Sequence, residues 1–542
     1  MLTKSRFPLA ILIWCVLSAM WGIVVAWLYR DFMNPDGISY LDLASAALAN
    51  GPSGLVNAHW SPLYPALIAL WELVTRPSPI QEFASVHALN AIIYFAASVS
   101  FGFFLRELIL FRAPERENLS AQNAFITLGF ALFFFYLNVN ITPFVVTPDI
   151  LMAAIQFAAA ALFFRIVRDP GKLSGYIALG CLLAAGFYTK SIMLPAGLVL
   201  LSVLFLCQRR SPKHLRNVLV AAVVMFLLCA PQILAVSQRV GHPSTSETGR
   251  LSYLWLVNQI RPFAGWTGTP GGDMPMHGPR VLMADPEVLE FGQPIGGTYP
   301  LWYDPAYWYA GAKSHFNLKD QWAAFRFSIS YYEFRNLLAP LVGLVVFVAL
   351  AIFARRRPRA HELWFLLWPL SILMMYALLI SEARYVAASL ILVWVSGYSA
   401  FLNGNDKWAR LIMILLAGVL LFSGLIQFQK TYRTLALPGN ATVAKDLNQI
   451  GIQAGGPIAT VGEGFDHYYA RLARVRIVAQ ITDEPGFWLL APEKATAVEH
   501  AIADTGAKVL LGRARPAHFQ PGRWRVIPGT SYSALMLDNV GE

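Results

Sequence analysis

The sequence predicts a polytopic α-helical membrane protein of about eleven transmembrane helices, with interfacial helices on its outer face and a small C-terminal α/β soluble domain. Three observations carry this. Of 542 residues, 56% are hydrophobic and only 13% are charged, against about 25% charged in a soluble domain. Apolar runs of roughly 17–25 residues, the length that crosses a hydrocarbon core, recur along the chain. Lys and Arg collect between those runs, as cytoplasmic loops require.

The first apolar run, Pro8 to about Leu28, follows Lys4 and Arg6 and so resembles a secretory leader. Its core is too long for one and no small-residue cleavage site follows, so it reads as a retained span. Hydropathy and loop charge then place spans near 8–29, 83–105, 120–138, 149–167, 175–189, 192–207, 217–236, 336–354, 361–380, 386–402 and 409–428. An odd count beginning inside leaves the C-terminus outside. The basic clusters Arg106/Arg112/Arg116, Arg165/Arg168/Lys172, Arg209/Arg210/Lys213/Arg216, Arg355/Arg356/Arg357/Arg359 and Lys407/Arg410 all then fall on the cytoplasmic face. The net charge of +11 is therefore a matter of topology, and a nucleic-acid partner is not expected. Cys15, Cys181, Cys207 and Cys229 lie in apolar runs without disulfide or metal spacing, and read as small apolar residues.

Between the first two long spans, Asp36–Asn50 and His59–Val74 form short helices. The second is bounded by Pro and marked by Trp60, Tyr64 and Trp71, residues that favour the headgroup level. Asn34 or Asp36 supplies the N-cap of the first, and Gly51-Pro52 ends it. Ser237–Arg335 is a long outer loop rich in Gly, Pro and aromatics, and a loop of that length is usually functional. From about Lys430 the composition becomes soluble. Strands at Pro457–Val461, Ile477–Ile481, Lys508–Leu511 and Ser533–Leu537 alternate with helices at Ala441–Ile450 and Glu493–Ala503. The expected division is thus a membrane domain 1–429, with outer loops 30–82 and 237–335, and an extracytoplasmic domain 430–542. The Gly462-Glu-Gly464 turn is too short a motif to mark a nucleotide site.

Ionisable residues near membrane depth are costly and point to function. Asp36 opens the first outer loop, Asp149 opens the fourth span, Lys190 closes the fifth, and Glu382, Arg384 and Tyr385 follow the ninth. In the expected topology all sit at the outer end. That set suits sugar transfer from a lipid phosphate. A carboxylate takes the proton of the acceptor hydroxyl, and the cations Lys190 and Arg384 stabilise the leaving phosphate. The aromatic loop would stack sugars and exclude water.

Each residue also has a plainer reading. Asp36 can cap a helix, Asp149 can complement a helix dipole, and Lys190 can snorkel to the headgroups. Glu382 and Arg384 can neutralise one another, His59, His87 and His361 can be structural, and the Trp302–Tyr309 aromatics can form an interfacial belt. Convergence on one face separates the functional reading from these.

The layout resembles the GT-C integral-membrane glycosyltransferases, in particular the protein O-mannosyltransferase, aminoarabinose transferase and rhizobial galacturonosyl transferase relatives of the family 39 type. Asp36-Gly-Ile-Ser-Tyr40 is similar to their acidic motif after the first span, and Ser61-Pro-Leu-Tyr-Pro65 to their Pro-rich segment. Asp149 resembles their second-loop Asp, Tyr188-Thr-Lys190 their Leu-Thr-Lys, and Arg384-Tyr385 their late Arg-Tyr. The resemblance implies Asp36 as general base with Asp149 beside it. It implies donor contacts from Lys190, Arg384, Tyr385, Tyr40, His59 and Glu382. Gly37 stands where relatives carry a second acidic residue, which puts a bridging divalent metal in doubt.

The implied function is inverting transfer of a sugar from a polyprenyl-phosphate donor to a lipid, glycan or protein acceptor. Its place is the outer face of a bacterial inner membrane, with the N-terminus cytoplasmic. The alternative is a secondary transporter for an envelope precursor. Transporters place charges near the midplane and often show inverted repeats, neither of which is evident here.

Overall fold

The computed structural model describes residues 8–112, 119–207, 211–261, 263, 265–269, 271–333, 360–399, 407–434, 439–513 and 523–537. The protein is mostly helical, with one small sheet. The expected span 336–354 lies outside the described residues, as do Arg116, Arg209, Arg210 and the Arg355–Arg359 cluster. Each of the other ten expected spans falls on a helix. Among the described residues, six helices are long and apolar enough to cross a membrane: Leu9–Leu28, Pro79–Arg112, Leu119–Ile141, Asp149–Arg168, Pro212–Val240 and Lys407–Thr434. The helices Leu173–Thr189, Met193–Cys207, Ala360–Ala377 and Ala383–Tyr398 are apolar but shorter.

Helix α1, Leu9–Leu28, shows how the bundle is built. It buries Ile11, Cys15, Ser18, Gly22 and Val25, a stripe spaced by four and three residues, and exposes most other large apolar side chains. That is the pattern of a span packed along one side and solvated by lipid elsewhere. The stripe meets a second helix closely. A Cβ on Gly102 would stand 2.6 Å from Ile11 Cγ2, so only glycine permits the crossing.

The short helices expected between the first two long spans are present. Helix α2 covers Pro35–Asn50 and α3 covers Leu63–Thr75. The capping expectation needs correction. Asn34 occupies the N-cap of α2, yet its Oδ1 accepts from the backbone of Val146 at 2.8 Å and makes no capping bond. The side chain thus ties the start of α2 to the segment preceding Asp149. Gly37 serves the same junction, where a Cβ would come within 2.9 Å of Val146 Cβ. Close packing, and not loss of a metal ligand, is the local reason for a glycine there.

The basic residues at the end of the bundle far from Asp36 are not simple solvated loop charges. Arg112 is buried and ion-paired with Glu362, and Arg106 and Arg168 hold Glu107 at 2.6 and 2.7 Å.

The sheet has seven strands in the order β1-β2-β4-β3-β5-β7-β6. These are β1 Arg280–Ala284, β2 Glu287–Glu290, β3 Pro457–Val461, β4 Arg476–Ile481, β5 Val509–Arg513, β6 Arg525–Val526 and β7 Tyr532–Met536. The central β3 runs parallel to β4 and β5. The strands expected in the tail lie within a residue or two of these. However, β1 and β2 belong to the long loop 237–335, and β2 pairs antiparallel with β4. The sheet is therefore not built from 430–542 alone. A loop strand of four residues carries no periodic signal strong enough to announce this.

Candidate active site

A cavity of about 700 Å³ opens where α2, the His59–Ser61 turn, the Thr147–Asp149 turn, the Thr189–Ile192 turn and the Glu382–Tyr385 segment meet. All eight site residues expected from the sequence line it: Asp36, Tyr40, His59, Asp149, Lys190, Glu382, Arg384 and Tyr385. Ile192, Pro195, Met375, Leu379 and Ile380 supply an apolar wall.

Local sequence aims these groups. Pro35 starts α2 with its preset φ, which puts Asp36 in the first turn and Tyr40 one turn further on the same face. Pro148 likewise precedes the helix that begins at Asp149. Lys190 is the extended C-cap of Leu173–Thr189, and Glu382 is the N-cap of Ala383–Tyr398, whose first turn carries Arg384 and Tyr385.

The charges interlock. Arg384 Nη1 lies 3.0 Å from Asp36 Oδ2 and 3.8 Å from Asp149 Oδ2, while its Nε lies 2.5 Å from Glu382 Oε2. Arg384 Nη2 donates to Tyr385 Oη at 3.2 Å. Lys190 Nζ lies 2.5 Å from Asp149 Oδ1 and 3.9 Å above the Tyr385 ring. Trp302 Nε1 donates to Asp36 Oδ1 at 3.3 Å. The two acids differ in access, with 18% of the Asp36 side chain exposed against 2% for Asp149. Asp149 is placed to hold the two cations, and Asp36 to meet a ligand. Among the described residues no three His, Cys, Asp or Glu side chains converge as metal ligands. Lys190 and Arg384 already engage the carboxylate oxygens that a metal would need.

His59 reaches the cavity in a particular state. Burial pushes its imidazole down to about 4, against the opposing pull of Asp36, so the ring is neutral near pH 7. It sits edge-on to Trp60, with centroids 4.4 Å apart, and offers hydrogen bonds rather than charge. The turn that carries it is pinned by Asn57 Oδ1, which accepts from the backbones of His59 and Trp60 at 2.8 and 2.9 Å. Thr248 Oγ1 donates to the His59 carbonyl at 2.6 Å.

Of the aromatic run Tyr299–Tyr309, only Trp302 lines the cavity. Tyr299, Trp308 and Tyr309 are buried in the packing of the loop, so the run is not a membrane belt. Sequence reasoning missed Trp255, Phe263, Glu463 and Phe465, which also line the cavity. For Glu463 and Phe465 the available signal was the Gly462/Gly464 pair, since paired glycines mark close backbone approach.

A second charged cluster seats the C-terminal part. Arg471 Nε and Nη2 donate to the two oxygens of Glu82 at 2.8 and 2.6 Å, Nη1 to Asp42 Oδ1 at 2.8 Å, and Nη2 to Ser45 Oγ at 2.7 Å. Thr298 donates to Asp42 from its backbone at 2.7 Å and its hydroxyl at 2.8 Å. Four separate stretches of chain meet in this network, and α2, which bears Asp36, is one of them.

With that geometry established, likenesses to known proteins become informative. Residues 104–234 match the family model described as dolichyl-phosphate-mannose-protein mannosyltransferase. The matched segment contains Asp149 and Lys190. Crystal structures of ArnT from Cupriavidus metallidurans, apo and bound to undecaprenyl phosphate, align over 97% of this chain and 98% of theirs. Their identities are 13% and 12%, each with a TM-score of 0.49. The Archaeoglobus fulgidus oligosaccharyltransferase, in complex with Zn and sulfate, aligns over 91% of this chain and 67% of its own, at 10% identity and TM-score 0.48. A comparison with curated proteins gave no match.

Proposed function

We propose that this protein transfers a sugar, with inversion, from a polyprenyl-phosphate donor to an envelope acceptor on the outer face of a bacterial inner membrane. The observation that carries the reading is one cavity in which Asp36, Asp149, Lys190, Glu382 and Arg384 meet beside an apolar wall. A polyprenyl chain suits that wall, and a phosphate suits Lys190 and Arg384.

The donor phosphate competes with the carboxylates for the cations and draws Arg384 from Asp36. Asp36 then accepts the proton of the acceptor hydroxyl, whose oxygen forms the new bond to the anomeric carbon. The bond from that carbon to the phosphate oxygen breaks, its electron pair leaving with the polyprenyl phosphate. Lys190 and Arg384 stabilise the charge that builds on the leaving group. The basic residues at the far end of the bundle support an outward-facing cavity by the positive-inside rule.

The test uses the purified protein in lipid nanodiscs with labelled polyprenyl-phosphate sugars and envelope extract. Covalent label on an acceptor, abolished by Asp36→Asn, is the expected result. Label that crosses a proteoliposome membrane unchanged, with no covalent product, points to transport and refutes the reading.

A further inference from the structure

The C-terminal domain reaches the cavity through the turn after β3. Gly462 adopts a φ of +91°, and a Cβ on Gly464 would stand 2.4 Å from the Tyr299 ring, so both glycines are needed to bring the turn down onto the Tyr299–Trp302 segment. Gln480 Oε1 fixes that contact, accepting from Gly464 N at 3.1 Å and Tyr299 Oη at 2.9 Å. Only a void of about 10 Å³ lies between the turn and the first turn of α2.

The two side chains presented have distinct chemistry. Phe465 meets Trp302 edge to face, with centroids 5.1 Å apart, and Trp302 in turn donates to Asp36. Glu463 is an exposed residue that lines the cavity and enters no ion pair among the described residues; partial burial raises its carboxyl above the ordinary value against the attraction of Arg261. Lys190 and Arg384, where the donor phosphate binds in the proposed function, are contributed by the ends of bundle helices. Glu463 and Phe465 come instead from the soluble domain.

We propose that this turn is the acceptor-side wall of the site and that the acceptor presents a carbohydrate ring to it. The apolar face of the ring packs on Phe465 and Trp302, and its hydroxyls donate to Glu463. A carboxylate is acceptor-only, so it selects hydroxyl or ammonium donors and repels an anionic group. Aromatic faces supply the flat apolar contact that sugar C–H faces match. This inference rests on the glycosyl-transfer reading and adds the acceptor class and the residues that choose it.

The full-length protein in nanodiscs is given tritiated polyprenyl-phosphate sugars, with either the envelope glycolipid fraction or delipidated envelope protein as acceptor. Label should enter the glycolipid fraction and resist protease. Glu463→Gln and Phe465→Ala should each raise the half-saturating glycolipid concentration by about 5- to 10-fold, the difference between a charged and a neutral hydrogen bond in the first case and a ring contact in the second. The half-saturating donor concentration should move by less than about two-fold, because neither residue meets the phosphate. Glu463 is exposed, so its variant remains informative even if Phe465→Ala misfolds. Label in the protein fraction, or a Glu463→Gln curve matching wild type, overturns the inference while leaving sugar transfer standing. Absence of wild-type transfer to either fraction removes both.

Discussion

Arg384 Nη1 and Asp36 Oδ2 stand 3.0 Å apart although 348 residues separate them in the chain. The proposed base is thus held by a cation until something more anionic takes that cation away. Under the proposed function, a ligand-dependent release of this kind would keep Asp36 from acting on stray water before the donor is bound.

Asp36→Asn should retain binding of undecaprenyl phosphate but lower sugar transfer by about 10²–10⁴-fold, the usual contribution of a positioned base. Turnover of labelled donor decides it. A variant with wild-type turnover would remove Asp36 from the chemistry.

Lys190→Ala removes the nearer of the two cations on Asp149, which is 2% exposed, and leaves Arg384 at 3.8 Å as its remaining ion pair. The cost should fall below the about 3–5 kcal/mol of a fully unpaired buried charge and still lower the melting temperature. Adding Asp149→Asn should restore most of that stability without restoring phosphate affinity. Undecaprenyl phosphate should bind the double variant about 10- to 100-fold more weakly, the range for charged hydrogen bonds. Wild-type affinity in the double variant would mean that Lys190 serves only Asp149.

Arg471 joins α2 and the start of the Glu82–Arg112 helix through four hydrogen bonds, and Asp42 carries the network on to Thr298. Arg471→Ala should cost about 3–5 kcal/mol by leaving the buried Asp42 carboxylate without a cation, while Arg474 keeps Glu82 paired. Limited proteolysis should release the C-terminal domain from that variant sooner than from wild type. Equal protease resistance would show that the network does not seat the domain.

Stability should fall on the acid side because of two buried imidazoles. Burial lowers His59 to about 4 and His467 to about 3, from an ordinary 6.5. The unfolded chain therefore binds more protons than the folded one between those values. The stability these rings contribute is complete above pH 6.5 and is lost as pH falls toward 4 and then 3. His467→Phe should flatten the melting temperature of the purified protein across that window. An unchanged slope would assign the acid sensitivity elsewhere.

Several features were legible in the sequence because they are local. Helix α1 shows its span through composition alone, and strand β3 through a run of apolar residues between glycines. Asp36, Asp149, Lys190 and Arg384 stood out because charge beside a span is expensive. Strands β1 and β2 were hidden because they are short and because β2, on which β1 pairs, joins a strand nearly two hundred residues away. Glu463 and Phe465 were hidden because a single Gly-x-Gly turn does not say which surface it approaches.

By itself the sequence determined that this is a multi-pass membrane bundle with strand-forming runs in its C-terminal part, and which charged side chains are out of place in it. Hydropathy and charge act residue by residue, so the order of residues suffices for both. Only the tertiary structure decided the partners: that Arg384 bridges Asp36, Asp149 and Glu382, and that a soluble turn closes onto the same hollow. Ion pairs and cavity walls depend on distances between segments remote in the chain, and those distances exist only once the helices have packed.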